Sequence, residues 1–261
     1  MKQEGMNKKI IMLCSECFST TTLYNYVTAY HAIDGIIAEQ PMRGLTLAKR
    51  RLKKLGFVRV AGQVLFSVLV VPLLRARSKE RIARIKQQYR FDETSIPDQK
   101  ITRLDSVNEE RCIALLRKMA PDIVLVNGTR IISKKVLGSV NAVFINMHTG
   151  ITPKYRGVHG GYWAVVDNDE ENCGVTVHLV DKGIDTGGIL YQAPISVTRE
   201  DNFVTYPYLQ FGEGIPLVKQ AVDDVMGEAL HTIPPATMES HLKYHPTIWQ
   251  YLYFRIFKNK K

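Results

Sequence analysis

The chain predicts an α/β fold in which helices cover both faces of a central sheet. Three observations carry that expectation. Short β-branched, apolar runs recur along the sequence, and segments of helical periodicity separate several of them. The 261 residues, with 45% hydrophobic content, suffice to bury a sizeable core. Alternating strand and helix signals are what such layering requires, because a sheet buried on both faces needs helices over each.

In chain order, Ile10-Ile-Met-Leu-Cys14 is the first strand, apolar throughout as a doubly buried strand is. A helix follows over residues 20–30, with Ser19 or Thr20 as its capping hydroxyl, and a second strand spans 33–39. After an unusual segment, 43–86, residues 101–104 read as a strand and 108–119 as a helix. That helix opens with Glu109-Glu110 and closes with Arg117-Lys118, the order the helix dipole favours. Core strands at 123–127 and 142–146 come next, then a helix-like crossover at 160–167 and strands at 174–180 and 189–197. A helix over 217–227 and a proline-punctuated tail from Thr232 complete the order. The expectation is a Rossmann-like three-layer sandwich over residues 8–230. It carries 43–86 as a basic, partly apolar helical insertion, and 231–261 form a short C-terminal extension. The aromatic, basic end of that tail caps a pocket, packs as a terminal helix or joins a membrane-facing patch.

Four cysteines, and an opening apolar run too short for a secretory signal, lead us to expect a reducing, cytoplasmic location. Cys14 and Cys17 form a lone C-x-x-C, which packing at the end of the first strand explains better than redox or metal work. No His-Glu-x-x-His or paired-cysteine pattern supports a metal site.

Val143-Phe-Ile145 reads as the end of a buried strand that leads into Asn146-Met-His148. Strand side chains alternate faces, so Asn146 and His148 project to the same side. Glycines at 183, 187 and 188 allow a loop tight enough to carry Asp185 back toward that strand's end. Both motifs are expected beyond the carboxyl ends of strands, where ligands gather in open α/β sheets. The trio comprises an amide that donates to an oxyanion, an imidazole that donates to it or takes a proton, and a carboxylate that orients the ring. Together they suit acyl transfer or acyl hydrolysis. The competing account makes His148 a satisfied core histidine, Asn146 a turn residue and Asp185 a cap.

The wider segment 121–190 resembles the folate-dependent formyltransferase family. The resemblance is carried by Pro121-Asp-Ile-Val-Leu-Val-Asn-Gly-Thr-Arg-Ile-Ile132, by Asn146-Met-His-Thr-Gly-Ile-Thr-Pro153 with Tyr155-Arg-Gly157, and by Gly174-Val-Thr-Val-His178 through Asp185-Thr-Gly187. Several motifs in the family's order are more specific than any one of them. The resemblance implies transfer of the formyl group of 10-formyltetrahydrofolate to an amine, with no metal. Asn146, His148 and Asp185 match the catalytic positions and His178 a second histidine near the site, which a packed strand histidine would equally explain. Arg130, Ile131 and Ile132 match the segment that lines the pteridine pocket mainly through its backbone, although Arg130 also fits a solvated surface charge. Asp181, Gly183 and Ile184 match the loop closing the other side. One departure follows the histidine, where Thr149-Gly150 stands in place of the common Pro-Ser or Gly-Ser and alters local contacts to the amine.

Family members differ in their acceptor. Purine-pathway members hold a ribonucleotide phosphate in a glycine-rich turn after the first strand. Here that turn is Ser15-Glu-Cys-Phe-Ser-Thr-Thr-Thr22, without glycine and with Glu16 opposing an anion. Initiator-tRNA members carry a further C-terminal domain of roughly a hundred residues, for which the tail leaves too little room. Folate deformylases carry an extra N-terminal domain. By elimination the expected acceptor is a small-molecule amine, a nucleotide-linked amino sugar for cell-envelope polysaccharide. Glycinamide ribonucleotide formylation and formyltetrahydrofolate hydrolysis are the alternatives.

The insertion bears on further partners. Residues 43–86 hold thirteen basic side chains against Glu80 alone, a net +12, whereas the whole chain carries +10, so the rest sums to −2. Inside it Val64-Leu-Phe-Ser-Val-Leu-Val-Val-Pro-Leu-Leu74 is almost wholly apolar. A basic arm with a helix packed on the domain or on a second subunit is one expectation. The other is an interfacial anchor, peripheral at the inner membrane surface, with the bases on anionic lipid. Arg59, Gln63 and Pro72 argue against a spanning helix, and the long apolar run argues against nucleic acid.

Overall fold

The computed structural model describes residues 8–42 and 44–260; Arg43 of the insertion and Lys261 of the tail lie outside them. β1 (Ile10–Ser15), α1 (Phe18–Thr28) and β2 (Gly35–Glu39) lead into four inserted helices, α2 (Gly44–Leu55), α3 (Phe57–Leu65), α4 (Val71–Arg77) and α5 (Lys79–Gln88). A π-helical turn, Phe66–Val70, joins α3 to α4. Then come β3 (Ile101–Leu104), α6 (Glu110–Met119), β4 (Ile123–Asn127), α7 (Lys134–Leu137), β5 (Val143–His148), β6 (Tyr155–Gly157) and α8 (Gly160–Val166). β7 (Gly174–Leu179), β8 (Ile189–Pro194), α9 (Tyr206–Met226), β9 (His241–Lys243) and α10 (Ile248–Phe257) complete the order.

Seven strands pair in the order β3-β2-β1-β4-β5-β7-β8. Side chains alternate across this sheet as the period of a strand dictates. Ile10, Met12 and Cys14 pack with Leu23 and Val27 of α1 and with Val218 and Val222 of α9. Ile11 and Leu13 pack on the other face with Cys112, Ile113 and Leu116 of α6. The result is the expected three-layer sandwich.

Three local expectations are corrected. The strands from β3 to β5 are parallel, but β7 runs antiparallel to β5, so the connection through α8 is not a parallel crossover. The Thr176 hydroxyl fixes this arrangement by donating to the Gly150 carbonyl at 2.8 Å and accepting from the Thr152 amide at 3.1 Å. Asp185 is therefore returned to β5 by its loop and not by a shared carboxyl edge. Cys17, not Ser19 or Thr20, stands at the N-cap of α1. Those two hydroxyls instead accept from the Asn127 amide, at 2.9 and 2.8 Å. Finally, α9 begins at Tyr206, well before residue 217. Its Gly212, Gly214 and Pro216 read as breakers, yet Gly214 permits close seating on the sheet: a methyl there would meet Met147 Sδ at 2.5 Å.

The insertion packs by one face. Phe66 and Ile85, both fully buried, join Tyr162, Trp163, Phe203 and Tyr251 in a second core. Arg81 donates a fork of hydrogen bonds to buried Asp201, at 2.8 and 2.9 Å. α10, opened by a Thr247–Gln250 capping box, closes this core from the tail. Ser67 Oγ lies 2.9 Å from His245 Nε2, and His245 Nδ1 lies 2.8 Å from His159 Nε2, so one chain of polar contacts ties insertion, tail and the start of α8.

Burial pushes the His159 imidazole down to about 3 and that of His245 down to about 4, with Arg51 adding to the second. Both rings are neutral when folded, whereas an unfolded chain takes up protons once the pH falls below about 6.5. Stability should therefore fall with acid, by about 2 kcal/mol for each ring between pH ~7 and pH ~5, read as a lower urea midpoint. His159→Gln is expected to flatten that dependence.

Candidate active site

β5 presents Asn146 and His148 on one side, and β7 sets His178 opposite Asn146 in register. His178 Nδ1 lies 2.7 Å from the Leu179 carbonyl, which only accepts, so the ring carries its proton there. His178 Nε2 then accepts from Asn146 Nδ2 at 3.1 Å, leaving the second N–H of that amide for the cleft. His148 is locked in a similar way. Its Nε2 donates to the Tyr155 carbonyl at 2.8 Å, so Nδ1 is the nitrogen left available, 3.4 Å from Asp185 Oδ2.

Asp185 sits in its loop with φ of 51°, in the left-handed region. Its Oδ2 accepts from the Gly157 amide at 2.9 Å, and its Oδ1 lies 3.7 Å from His178 Nε2. The loop is braced on both flanks. Arg156 donates to the Ile184 carbonyl at 3.1 Å, and Asp181 Oδ1 accepts from the Gly183 amide and the Thr186 hydroxyl at 2.9 and 2.7 Å.

Burial dominates the electrostatics. It pushes the His148 imidazole below its ordinary value, opposed by the Asp185 carboxylate, which favours the charged ring. Burial alone would raise the Asp185 carboxyl, but the His178 and His148 rings in their charged forms, together with the Gly157 amide, outweigh it and hold the group below the usual carboxylate range. At neutral pH the pair is a neutral imidazole beside a carboxylate. Such a ring can accept a proton at Nδ1, and the carboxylate is placed to steady the cation that results.

Gly150 gives the unusual Thr149-Gly150 pair a physical reason. A methyl at Gly150 would meet the Tyr155 carbonyl oxygen at 2.4 Å and His148 Nε2 at 2.8 Å, across the very bond that sets the tautomer.

The cleft holding these groups measures about 510 Å³. Its walls include Arg130, Ile131 and Ile132 after β4 and Asp181, Gly183 and Ile184 after β7, so all the residues singled out from the sequence reach one cavity. The Arg130 side chain is neither a solvated charge nor a free ligand. It pairs with Glu39 at 3.0 Å and donates to the Gln40 and Asp105 carbonyls, tying the ends of β2 and β3. Tyr162 and Trp163 belong to the second core, at 1% and 7% exposed.

Phe211 of α9 and Leu242 and Lys243 of the tail also line the cleft, and no sequence signal singled them out. The tail arrives because β9 pairs in parallel with β6, Tyr155 opposite His241, a pairing too distant to leave a local pattern. A second hollow of about 320 Å³ adjoins, sharing Val158 and Tyr244 and lined by Arg51, Lys54, Gln63, His159 and His245. Among the described residues no cluster of His, Cys, Asp and Glu is placed to hold a metal ion.

Residues 70–208 match the family model described as formyl transferase. The methionyl-tRNA formyltransferase of Thermodesulfovibrio yellowstonii is 32% identical over 136 residues, 52% of this chain and 44% of that protein, so the chain spans under half the length of this curated relative. A sugar N-formyltransferase from a Shewanella species shares the fold with a TM-score of 0.57 and 14% identity, over 90% of this chain and 76% of that one. A phosphoribosylglycinamide formyltransferase from Anaplasma phagocytophilum does so with a TM-score of 0.58 and 16% identity, over 92% and 100%.

Nitrogen-15 NMR at neutral pH is expected to show His148 as the Nε2–H tautomer, titrating below about 6.5. Gly150→Ala is expected to shift that signature by moving the Tyr155 carbonyl, with the far-ultraviolet spectrum unchanged.

Proposed function

The chain belongs to the formyl transferase family, and we propose that it moves the formyl group of 10-formyltetrahydrofolate to the primary amine of a nucleotide-linked amino sugar. The observation that carries this reading is the convergence of Asn146, His148 and Asp185 on one cleft. The walls suit a flat, hydrogen-bonding pterin. The side chains of Arg130 and Asp181 are committed to Glu39 and to Gly183 and Thr186, which leaves both loops to face the cleft largely with backbone.

The donor supplies an activated carbonyl carbon. As the acceptor amine attacks it, the free N–H of Asn146 donates to the carbonyl oxygen, where negative charge grows. His178, holding the other N–H, keeps that amide aimed. His148 takes the amine's proton on Nδ1, Asp185 steadies the imidazolium, and the proton is returned to the folate nitrogen as its bond to the formyl carbon breaks. The sequence allowed His148 to share the oxyanion. With Nε2 given to Tyr155, the role of base is better supported.

The acceptor's phosphates are assigned to the adjoining hollow, where Arg51 and Lys54 supply positive charge beside the cleft. The turn after β1 supports this choice over glycinamide ribonucleotide. Glu16 is paired with Arg103 at 2.7 and 2.8 Å, and Ser19 and Thr20 are engaged by Asn127, so that turn offers an anion little. In this reading the protein works in the cytoplasm on precursors of cell-envelope polysaccharide.

Incubated with 10-formyltetrahydrofolate and a panel of amino-sugar nucleotides, the chain is expected to release tetrahydrofolate only when an amine is present, with one formyl mass added to the acceptor. Release without acceptor would mean hydrolysis. Asn146→Ala should lower kcat/KM by about a hundredfold to a thousandfold, the equivalent of ~2.7–4 kcal/mol. Arg51→Glu should raise the acceptor's KM by about tenfold while kcat stays near that of the parent.

A further inference from the structure

We infer that Phe57–Arg77 and α10 form one docking face that lies in the plane of an anionic phospholipid leaflet. Phe57–Arg77 is a continuous helix of 21 residues, apolar and long enough to cross a bilayer, yet its most apolar stretch is only 22% buried. Its two sides differ in what they meet. Val60, Gln63 and Phe66 turn inward. Phe57, Val58, Leu65, Val68, Leu69 and Leu73 face outward, between 42% and 76% exposed, and recur at helical spacing.

A helix on a water-facing surface carries polar residues on its outer side. Between Arg59 and Arg75 this helix has only Gln63 and Ser67, and both are turned toward His245, with Gln63 donating to its carbonyl and Ser67 meeting its ring. The outer stripe is thus apolar, with the exposed Ser67 beside it as the one hydroxyl between the two arginines. α10 extends it, packed beside the helix through the Phe66 and Tyr251 rings with centroids 5.1 Å apart. Trp249, Leu252, Tyr253, Ile256 and Phe257 of α10 are 43% to 75% exposed, again at helical spacing. Tryptophan and tyrosine favour the headgroup level of a bilayer.

Charge selects the occupant. Arg59 stands near one end of the helix, its guanidinium over the Tyr244 ring at 5.0 Å, Arg75 and Arg77 at the other and Arg255 on α10. Among the described residues no acidic side chain pairs with these four, whereas Arg81, Arg84 and Lys260 are matched by Asp201, Glu200 and Glu170. A contiguous apolar surface marks an interaction site. A second copy presenting the same face would set cation against cation. An anionic leaflet answers both features at once, hydrocarbon for the stripe and negative charge for its rim. Crossing the bilayer does not fit, because both ends of the insertion return to neighbouring strands of one sheet and Phe66 is held in the second core.

The test uses the full chain with vesicles of phosphatidylcholine, alone or with phosphatidylglycerol added. Cosedimentation is expected with the anionic vesicles at low salt, at least about tenfold stronger than with neutral ones and weakened by high salt. Trp249 emission should shift to the blue on binding. Val68→Ser, Leu69→Ser, Ile256→Ser and Phe257→Ser combined should lower binding by about tenfold, with the urea midpoint and the mass in solution unchanged. Failure of the parent chain to bind anionic vesicles, or equal binding by the fourfold variant, overturns the proposal. So does a dimer that the variant dissolves, or resistance of the bound parent to alkaline extraction. None of these readouts depends on the proposed reaction.

Discussion

One hydrogen bond sets the chemistry of the cleft, that from His148 Nε2 to the Tyr155 carbonyl at 2.8 Å. It commits one ring nitrogen to the backbone and leaves the other facing Asp185. The bond exists because residues 148–155 turn tightly enough to bring Tyr155 back over the imidazole, which only a glycine at position 150 allows. The same turn sets β6, whose Gly157 amide holds the Asp185 carboxylate in place. Tautomer, base and counter-charge are therefore fixed by one stretch of backbone, anchored on β5 within the sheet. Burial completes the arrangement by keeping the ring neutral until a proton is offered to it.

The insertion and the tail build the rest of the site together. β9 lays Leu242 and Lys243 along the cleft, and Tyr244 lines both cavities while its carbonyl accepts from the Trp163 indole at 3.0 Å. Lys54 and Arg59 lie over the Tyr244 ring, at 5.5 and 5.0 Å from its centroid. Gln63 lines the second hollow from the inner side of the helix whose outer side is exposed and apolar. One helix thus has two dissimilar neighbours, a basic hollow and an unpartnered surface. This accounts for a sequence that is apolar around most of its circumference yet flanked by bases.

Much of this was legible in the chain, for identifiable reasons. Strand alternation put Asn146 and His148 on one side, although β5 runs two residues past the expected end at Asn146, through His148. Doubly buried strands read as apolar runs, and β1, β2 and β4 are buried along nearly their whole lengths. What failed depended on contacts distant in sequence. The direction of β7 is set by Thr176 reaching back to residues 150 and 152, which no local pattern encodes. Gly212, Gly214 and Pro216 hid the first turns of α9 and with them Phe211; Gly214 lets the helix sit close to the sheet and Gly212 makes room for the Tyr89 ring, contacts distant in sequence. In the insertion, composition revealed apolar and basic character but not which side packs, since Phe66 and Val68 are equally hydrophobic and only the fold separates them.

The most direct test of the account is the pH dependence of single-turnover formyl transfer in the parent chain and in Asp185→Asn. With His148 Nδ1 as the proton acceptor, the rate should fall on the acid side with a midpoint below about 6.5, as burial of the ring requires. Removing the carboxylate should lower the plateau and move that midpoint further down, because Asp185 is the group that favours the charged ring. A rate indifferent to pH over that range, or a midpoint that rises in Asp185→Asn, would contradict the assignment.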